Sequence, residues 1–280
     1  MLRIFYDAYL KFNRDDGWAL ASHIALSTLT SLFPFLIFVT AVAGFLGQQE
    51  LADDAARLLF DRWPPEVAGP ISKEIHDVLT RPQAGHLTIG ATLLIYFSSS
   101  GVEALRVALN RAYDRRDHRS WWLLRLEAIF FVFVGAASLL TIAFLLVLGP
   151  LAAAIAARYV PALVEELAPL FAPVRYGVTS SVLVLGLLAA HKFLPAGRRS
   201  LLMIAPGVIL TLFVSLAFGV GFGAYLAQFA SNYVTTYAGL ASIMTALVFL
   251  YSLATIFIFG AELNQAIAHR RAHYGPDFEG

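Results

Sequence analysis

Five long intervals of this 280-residue chain contain no Asp, Glu, Lys or Arg. They run from Gly17 to Gln49, Pro82 to Val102, Ala128 to Ala157, Tyr176 to His191 and Ser200 to Ala261, and the last is 62 residues long. Charged residues are 14% of the sequence and hydrophobic ones 59%, where a soluble domain carries about a quarter charged residues. A hydrocarbon layer about 30 Å thick is crossed by roughly 20 apolar helical residues. Uncharged intervals of this kind belong in a bilayer, and the chain reads as an all-α, polytopic membrane protein.

Six spans fit the intervals, at about 22–47, 86–110, 127–149, 175–195, 201–229 and 239–264, within one membrane domain covering residues 1–280. The longest interval must hold two, because a single helix of that length would run roughly 93 Å. The stretch 229–242, with Asn232 and Gly239, supplies turn chemistry, and Tyr225, Tyr233 and Tyr237 suit an interfacial aromatic belt. With six spans both termini share a side. The segments on that side hold thirteen Lys and Arg residues against six opposite, which places both termini in the cytoplasm. The first apolar run is too long for a cleaved signal peptide and is expected to remain.

Two outer connections carry helical periodicity: Val67, Ile71, Ile75 and Val78, then Val160, Leu163, Leu167 and Leu170. Both read as amphipathic helices at the membrane surface, serving as packed connectors or guiding a substrate. Pro34 falls inside the first span and Pro206-Gly207 inside the fifth, where a lost backbone hydrogen bond favours a kink, for packing or as a hinge. Pro150, Pro161, Pro169 and Pro173 read as punctuation near span ends.

The segment SSSGVEALRVALNRAY, residues 98–113, takes the second span out of the apolar layer. Its serines and glycine lie roughly 17–21 Å along the span, and Glu103 about 24 Å. Glu103, Arg106 and Asn110 follow one another along one helix face. In FGAELNQAIAHRR, Glu262 and Asn264 leave the sixth span on the same side. These five residues form either two stabilised span exits or a polar cytoplasmic vestibule that binds substrate. The connection at 113–125, with Arg115, Arg116, Arg119, Arg125, Trp121 and Trp122, suits membrane lipids, anionic headgroups among them.

No catalytic constellation stands out. G-x-S-x-G, H-E-x-x-H, P-loop and dinucleotide patterns are absent, and zero cysteines exclude disulfides, Fe–S clusters and thiolate zinc sites. His269 and His273 share a helix face without a third ligand, and His23, His86 and His191 read as interfacial. No cofactor, no metal, no nucleic-acid partner and no enzymatic activity are expected.

The stretches DDGWALASHIALSTLTSLFPFLIFVTAVAGFLG, KFLPAGRRSLLMIAPG and NYVTTYAGLASIMTALVFLYSLATIFIFGAELNQAI, together with the 98–122 segment, resemble the YihY/virulence factor BrkB family. The resemblance covers nearly the whole chain. It implies a bacterial inner-membrane protein of about six spans, from a family once mislabelled ribonuclease BN and without an agreed activity. It marks Pro34, Tyr113, Asn232 and Tyr237 as motif positions of structural kind, beside Asn110, Glu262 and Asn264. Two functions are then favoured over a third, an intramembrane enzyme: handling or transport of a lipid-like, amphipathic substrate, or a non-transporting scaffold for envelope-building partners.

Overall fold

A computed structural model describes residues 2–45, 87–145, 159–237 and 241–274, and every regular element among them is a helix. The order is α1 (Leu2–Arg14), α2 (Gly17–Phe45), α3 (Leu87–Ala112), α4 (Trp121–Ala143), α5 (Pro161–Phe193), α6 (Leu201–Tyr237) and α7 (Ala241–Tyr274). Among the described residues four stretches are long and apolar enough to cross a membrane: Trp121–Ile142, Pro169–Phe193, Leu201–Gln228 and Ile243–Arg271. The chain is a helical membrane protein.

Several helices outrun their predicted spans. The stretch expected as a separate surface helix at 160–171 is instead the start of α5, which runs unbroken from Pro161 to Phe193 with Pro169 and Pro173 inside it. Pro161 occupies the first helical position, where its missing N–H leaves nothing unsatisfied. At the two inner prolines, continuing the helix forfeits one bond each, whereas stopping it would bare several backbone groups to lipid. The turn expected at 229–242 is shorter as well: α6 continues through Asn232 and Tyr233 to Tyr237, and α7 begins at Ala241. Hydropathy reports the thickness of the apolar slab, while backbone hydrogen bonding sets the length of a helix. The expected surface helix around Val67–Leu79, His86 and Gly239 lie outside the described residues.

Two acidic residues with positive φ make the tight corners, Asp16 (φ 58°) between α1 and α2 and Asp114 (φ 51°) after α3. Aspartate tolerates that conformation better than most residues. α2 packs most extensively on α3, and α7 on α6 and α2, while α5 touches α6 and only lightly α4. The main core gathers Phe12, Ala21, Ile24, Ala104, Ala108, Leu109, Tyr113, Leu194, Ile204 and Ile258. All of them lie toward one end of the bundle. Toward the other end, no residue of 137–142, 169–190, 212–228 or 243–253 with a described side chain is buried.

Close backbone approach decides two crossings. A Cβ on Gly101 would press on Ser31 Oγ and touch the backbone of Thr28, so α2 and α3 meet through small residues. At the α6–α7 crossing the carbonyl oxygen of Gly260 occupies the space a Gly207 side chain would need, and Thr211 Oγ1 that of a Gly260 side chain. Only glycine fits either position.

Candidate functional site

The polar residues of the closed end fall into three groups joined by the α3–α4 connection. The first begins with Glu103 on α3. Arg125, from the opening turns of α4, approaches Glu103 at 3.1 Å, donates to Ser99 Oγ at 2.6 Å, and lies 4.1 Å from the Tyr96 ring centre. Arg106, expected to pair with Glu103 one turn away, does so at 3.7 Å and reaches Asp117 at the same distance. Asp117 also accepts from Asn110 at 3.1 Å and from Arg119 at 2.7 Å. Arg119 then bonds Glu127 at 2.7 Å and the carbonyl of Leu194 at 2.7 Å. Asn110 Oδ1 accepts the backbone N–H of Ala196, so one asparagine joins α3 to the α5–α6 connection. The bonds from Arg119 hold the Asp117 carboxyl down at a pKa of about 2, against the opposing effect of burial.

The second group surrounds Lys11 on α1. Its ammonium sits 3.0 Å from Glu262 Oε2, pairs with Asp15, lies 3.3 Å from Asp114, and donates to the carbonyl of Ala112. Burial alone would push its pKa down, but Asp15, Glu262 and Asp114 outweigh it and hold the pKa above the ordinary lysine value. Glu262 itself is 1% exposed. Arg270 bonds Asp7 at 2.9 Å, a further tie between α1 and α7. A cleft of about 780 Å³ lies along this junction, lined by Asp7, Leu10, Lys11, Arg14, Ala266, His269 and Arg270.

Asn264 anchors the third group and faces away from Lys11, into the α6 crossing. Its Oδ1 accepts the N–H of Gly207 at 2.6 Å, and its Nδ2 donates to the carbonyl of Ile204 and to Tyr113 Oη, each at 3.0 Å. These are backbone groups of the turn that Pro206 interrupts. Tyr113 Oη also lies 2.8 Å from His191 Nδ1, and the Arg199 guanidinium sits 4.2 Å from the Tyr113 ring centre. His191, read as interfacial, is instead fully buried beside the Phe257 ring.

Glu103, Arg106 and Asn110 thus share one network, whereas Glu262 and Asn264 serve two others. Glu103 and Glu262 have no partner in common among the described contacts, and neither lines the cleft. Of the basic connection, Arg115 and Arg116 are exposed, while Arg119 and Arg125 are committed to carboxylates. Pro34 lies inside α2, and Asn232 and Tyr237 lie on α6. Sequence reasoning missed Lys11, Asp15, Asp114, Asp117 and Arg199 as members of the networks. The one available signal was the spacing of Ile4, Ala8, Lys11 and Phe12, which marks α1 as an amphipathic helix with Lys11 on its buried side. Among the described residues no group of three or more His, Asp or Glu is placed to hold a metal ion.

The sequence is 27% identical over 266 residues to the ribonuclease-like protein YfkH of Bacillus subtilis, covering 95% of this chain and 94% of that one. It is 28% identical over 279 residues to a UPF0761 membrane protein of Rhodospirillum centenum, covering 94% of this chain but only 56% of that longer protein. No solved structure matches. The virulence factor BrkB family matches residues 8–279, from the second half of α1 through the whole of α7, and the chain belongs to that family.

Proposed function

We propose that this protein handles or moves a lipid-like, amphipathic molecule in the bacterial inner membrane. In this reading α2 and α3 join the four apolar stretches as spans, giving six crossings with both termini cytoplasmic. The observation that carries it is the asymmetry of the bundle. One end is closed by ion pairs, whereas the described residues 169–190 of α5 and 212–228 of α6 include none that is buried. A bilayer covers such surfaces with acyl chains, and in this reading lipid enters laterally between α4 and α5, whose described residues touch only lightly. A chain entering there meets apolar side chains first, then the polar layer of Glu103, Arg106 and Asn110. Passage of a headgroup requires Arg106 and Arg125 to exchange protein carboxylates for it.

Reconstituted vesicles test this reading. Labelled lipids of varied headgroup should move faster than in empty liposomes, and Glu103→Gln should change the rate. No movement for any headgroup would end it. A second reading, a non-transporting scaffold for envelope-building partners, is supported by the completeness of the ionic closure and by the exposed Arg115, Arg116 and Arg198. It predicts a partner that survives crosslinking and affinity capture with an Arg115→Glu/Arg116→Glu-sensitive yield.

A further inference from the structure

Among the described helices α1 is the most strongly amphipathic, too short and too polar to cross a membrane, and the fold holds it beside membrane-crossing elements. Ala8 packs with Leu263 and Ala266, and Asp7 bonds Arg270, so α1 lies against the last turns of the apolar stretch Ile243–Arg271. Two residues, Asp15 and Asp16, then separate it from α2. Its position along the bundle is therefore the end of the spans, at the level of lipid headgroups.

The two sides of α1 differ sharply. Ala8 and Phe12 are buried against the bundle, with Ile4 and Lys11 beside them. The outward surface presents Phe5, Tyr6, Tyr9 and Leu10, all between 41% and 61% exposed. Three aromatics and a leucine bared together on a two-turn stretch are anomalous for a surface in water, and they are the residue types that settle at a membrane interface. Exposed Arg3 and Arg14 flank them at the two ends of the helix; Arg14 Nε lies 3.4 Å from Asp15 Oδ1, and its side chain remains 70% exposed. The acid on that side, Asp7, is already bonded to Arg270. A flat apolar strip with a cation at each end complements a layer of acyl chains beneath anionic headgroups.

We infer that α1 docks on the surface of the bilayer, inserting Phe5, Tyr6, Tyr9 and Leu10 at headgroup depth and contacting anionic phospholipid through Arg3 and Arg14. The inference rests on the membrane placement of the spans and not on transport. Because Lys11 of the same helix pairs with buried Glu262, docking ties lipid charge to the position of α7.

The chain has no cysteine, so a single label is unambiguous. The full-length Tyr9→Cys variant would carry an environment-sensitive fluorophore, with Arg198→Cys, exposed on the α5–α6 connection, as the reference. Both would be placed in phosphatidylcholine nanodiscs with and without about 30% phosphatidylglycerol. The label at position 9 should be quenched by headgroup-level brominated lipid and be several-fold less accessible to iodide than the label at 198. Hydrogen exchange of residues 2–14 should slow about five-fold per engaged arginine when phosphatidylglycerol is added, and the Arg3→Gln/Arg14→Gln variant should lose that dependence. Equal iodide access at positions 9 and 198 would overturn docking. Protection that ignores phosphatidylglycerol would overturn the anionic contact. Vesicles in which no lipid moves, while position 9 stays quenched, would defeat the transport reading and leave this one standing.

Discussion

Replacing Asn264 with leucine removes an amide of similar volume from the α6–α7 crossing and leaves the packing space filled. Three buried contacts go with it: the N–H of Gly207 at 2.6 Å, the carbonyl of Ile204 at 3.0 Å and Tyr113 Oη at 3.0 Å. Interhelical hydrogen bonds in membrane proteins average about 0.6 kcal/mol by double-mutant cycles, so three amount to roughly 2 kcal/mol. That is the lower bound. The upper bound comes from the groups left behind. Tyr113 Oη keeps its contact with His191, but the buried N–H of Gly207 and the buried carbonyl of Ile204 both lose their side-chain partner in the turn that Pro206 already weakens. Stranded buried groups cost about 1–3 kcal/mol each, which raises the total toward roughly 6 kcal/mol. The folding equilibrium should then shift by about thirty-fold at least, and by more than ten-thousand-fold at most. Reversible unfolding in mixed micelles, followed by tryptophan fluorescence, measures it. Gln265→Leu, one position on, whose donors reach Asp114 at 3.4 Å and His269 at 2.9 Å near solvent, should cost under about 1 kcal/mol. If Asn264→Leu and Gln265→Leu were equally mild, the claim that Asn264 staples the interrupted helix would be wrong.

Gly207→Ala should destabilise by about 1–3 kcal/mol in the same assay, since its methyl would collide with the Gly260 carbonyl, which is backbone and cannot swing aside. Lys11→Met should cost about 3–5 kcal/mol by stranding the Glu262 carboxylate. The double variant Lys11→Met/Glu262→Leu should recover most of that loss, and a double-mutant cycle reads the recovery. Asp117 has its pKa lowered from 3.8 to about 2 by Arg119. Its contribution to stability is therefore complete above about pH 4 and lost as pH falls toward 2. Unfolding midpoints of the wild type should drop across that window, and those of Asp117→Asn should drop less. Lys11, held above the ordinary lysine value, contributes below about pH 10.5 and loses that contribution only at more alkaline pH.

The uncharged intervals alone determined that this is a helical membrane protein, because each charge at the centre of a span costs about 2.5–3.5 kcal/mol, and long apolar runs without any such cost favour hydrocarbon over water. They also located most helices to within a few residues at one end, as with α3, predicted at 86–110 and found at 87–112. They could not show that α5 begins at Pro161 or that α6 runs to Tyr237, since a helix does not stop where the lipid does. Pairing was beyond reach for a different reason. Glu262 and Asn264 stand two residues apart, so they point to different sides of α7, one to Lys11 and the other to Gly207 and Tyr113. Lys11 is more than 250 residues from Glu262 along the chain. Only folding brings such groups within 3.0 Å. Local composition decides whether a segment enters the membrane, because that energy sums over the segment itself. Which polar groups satisfy one another depends on distances that exist only once the helices have packed.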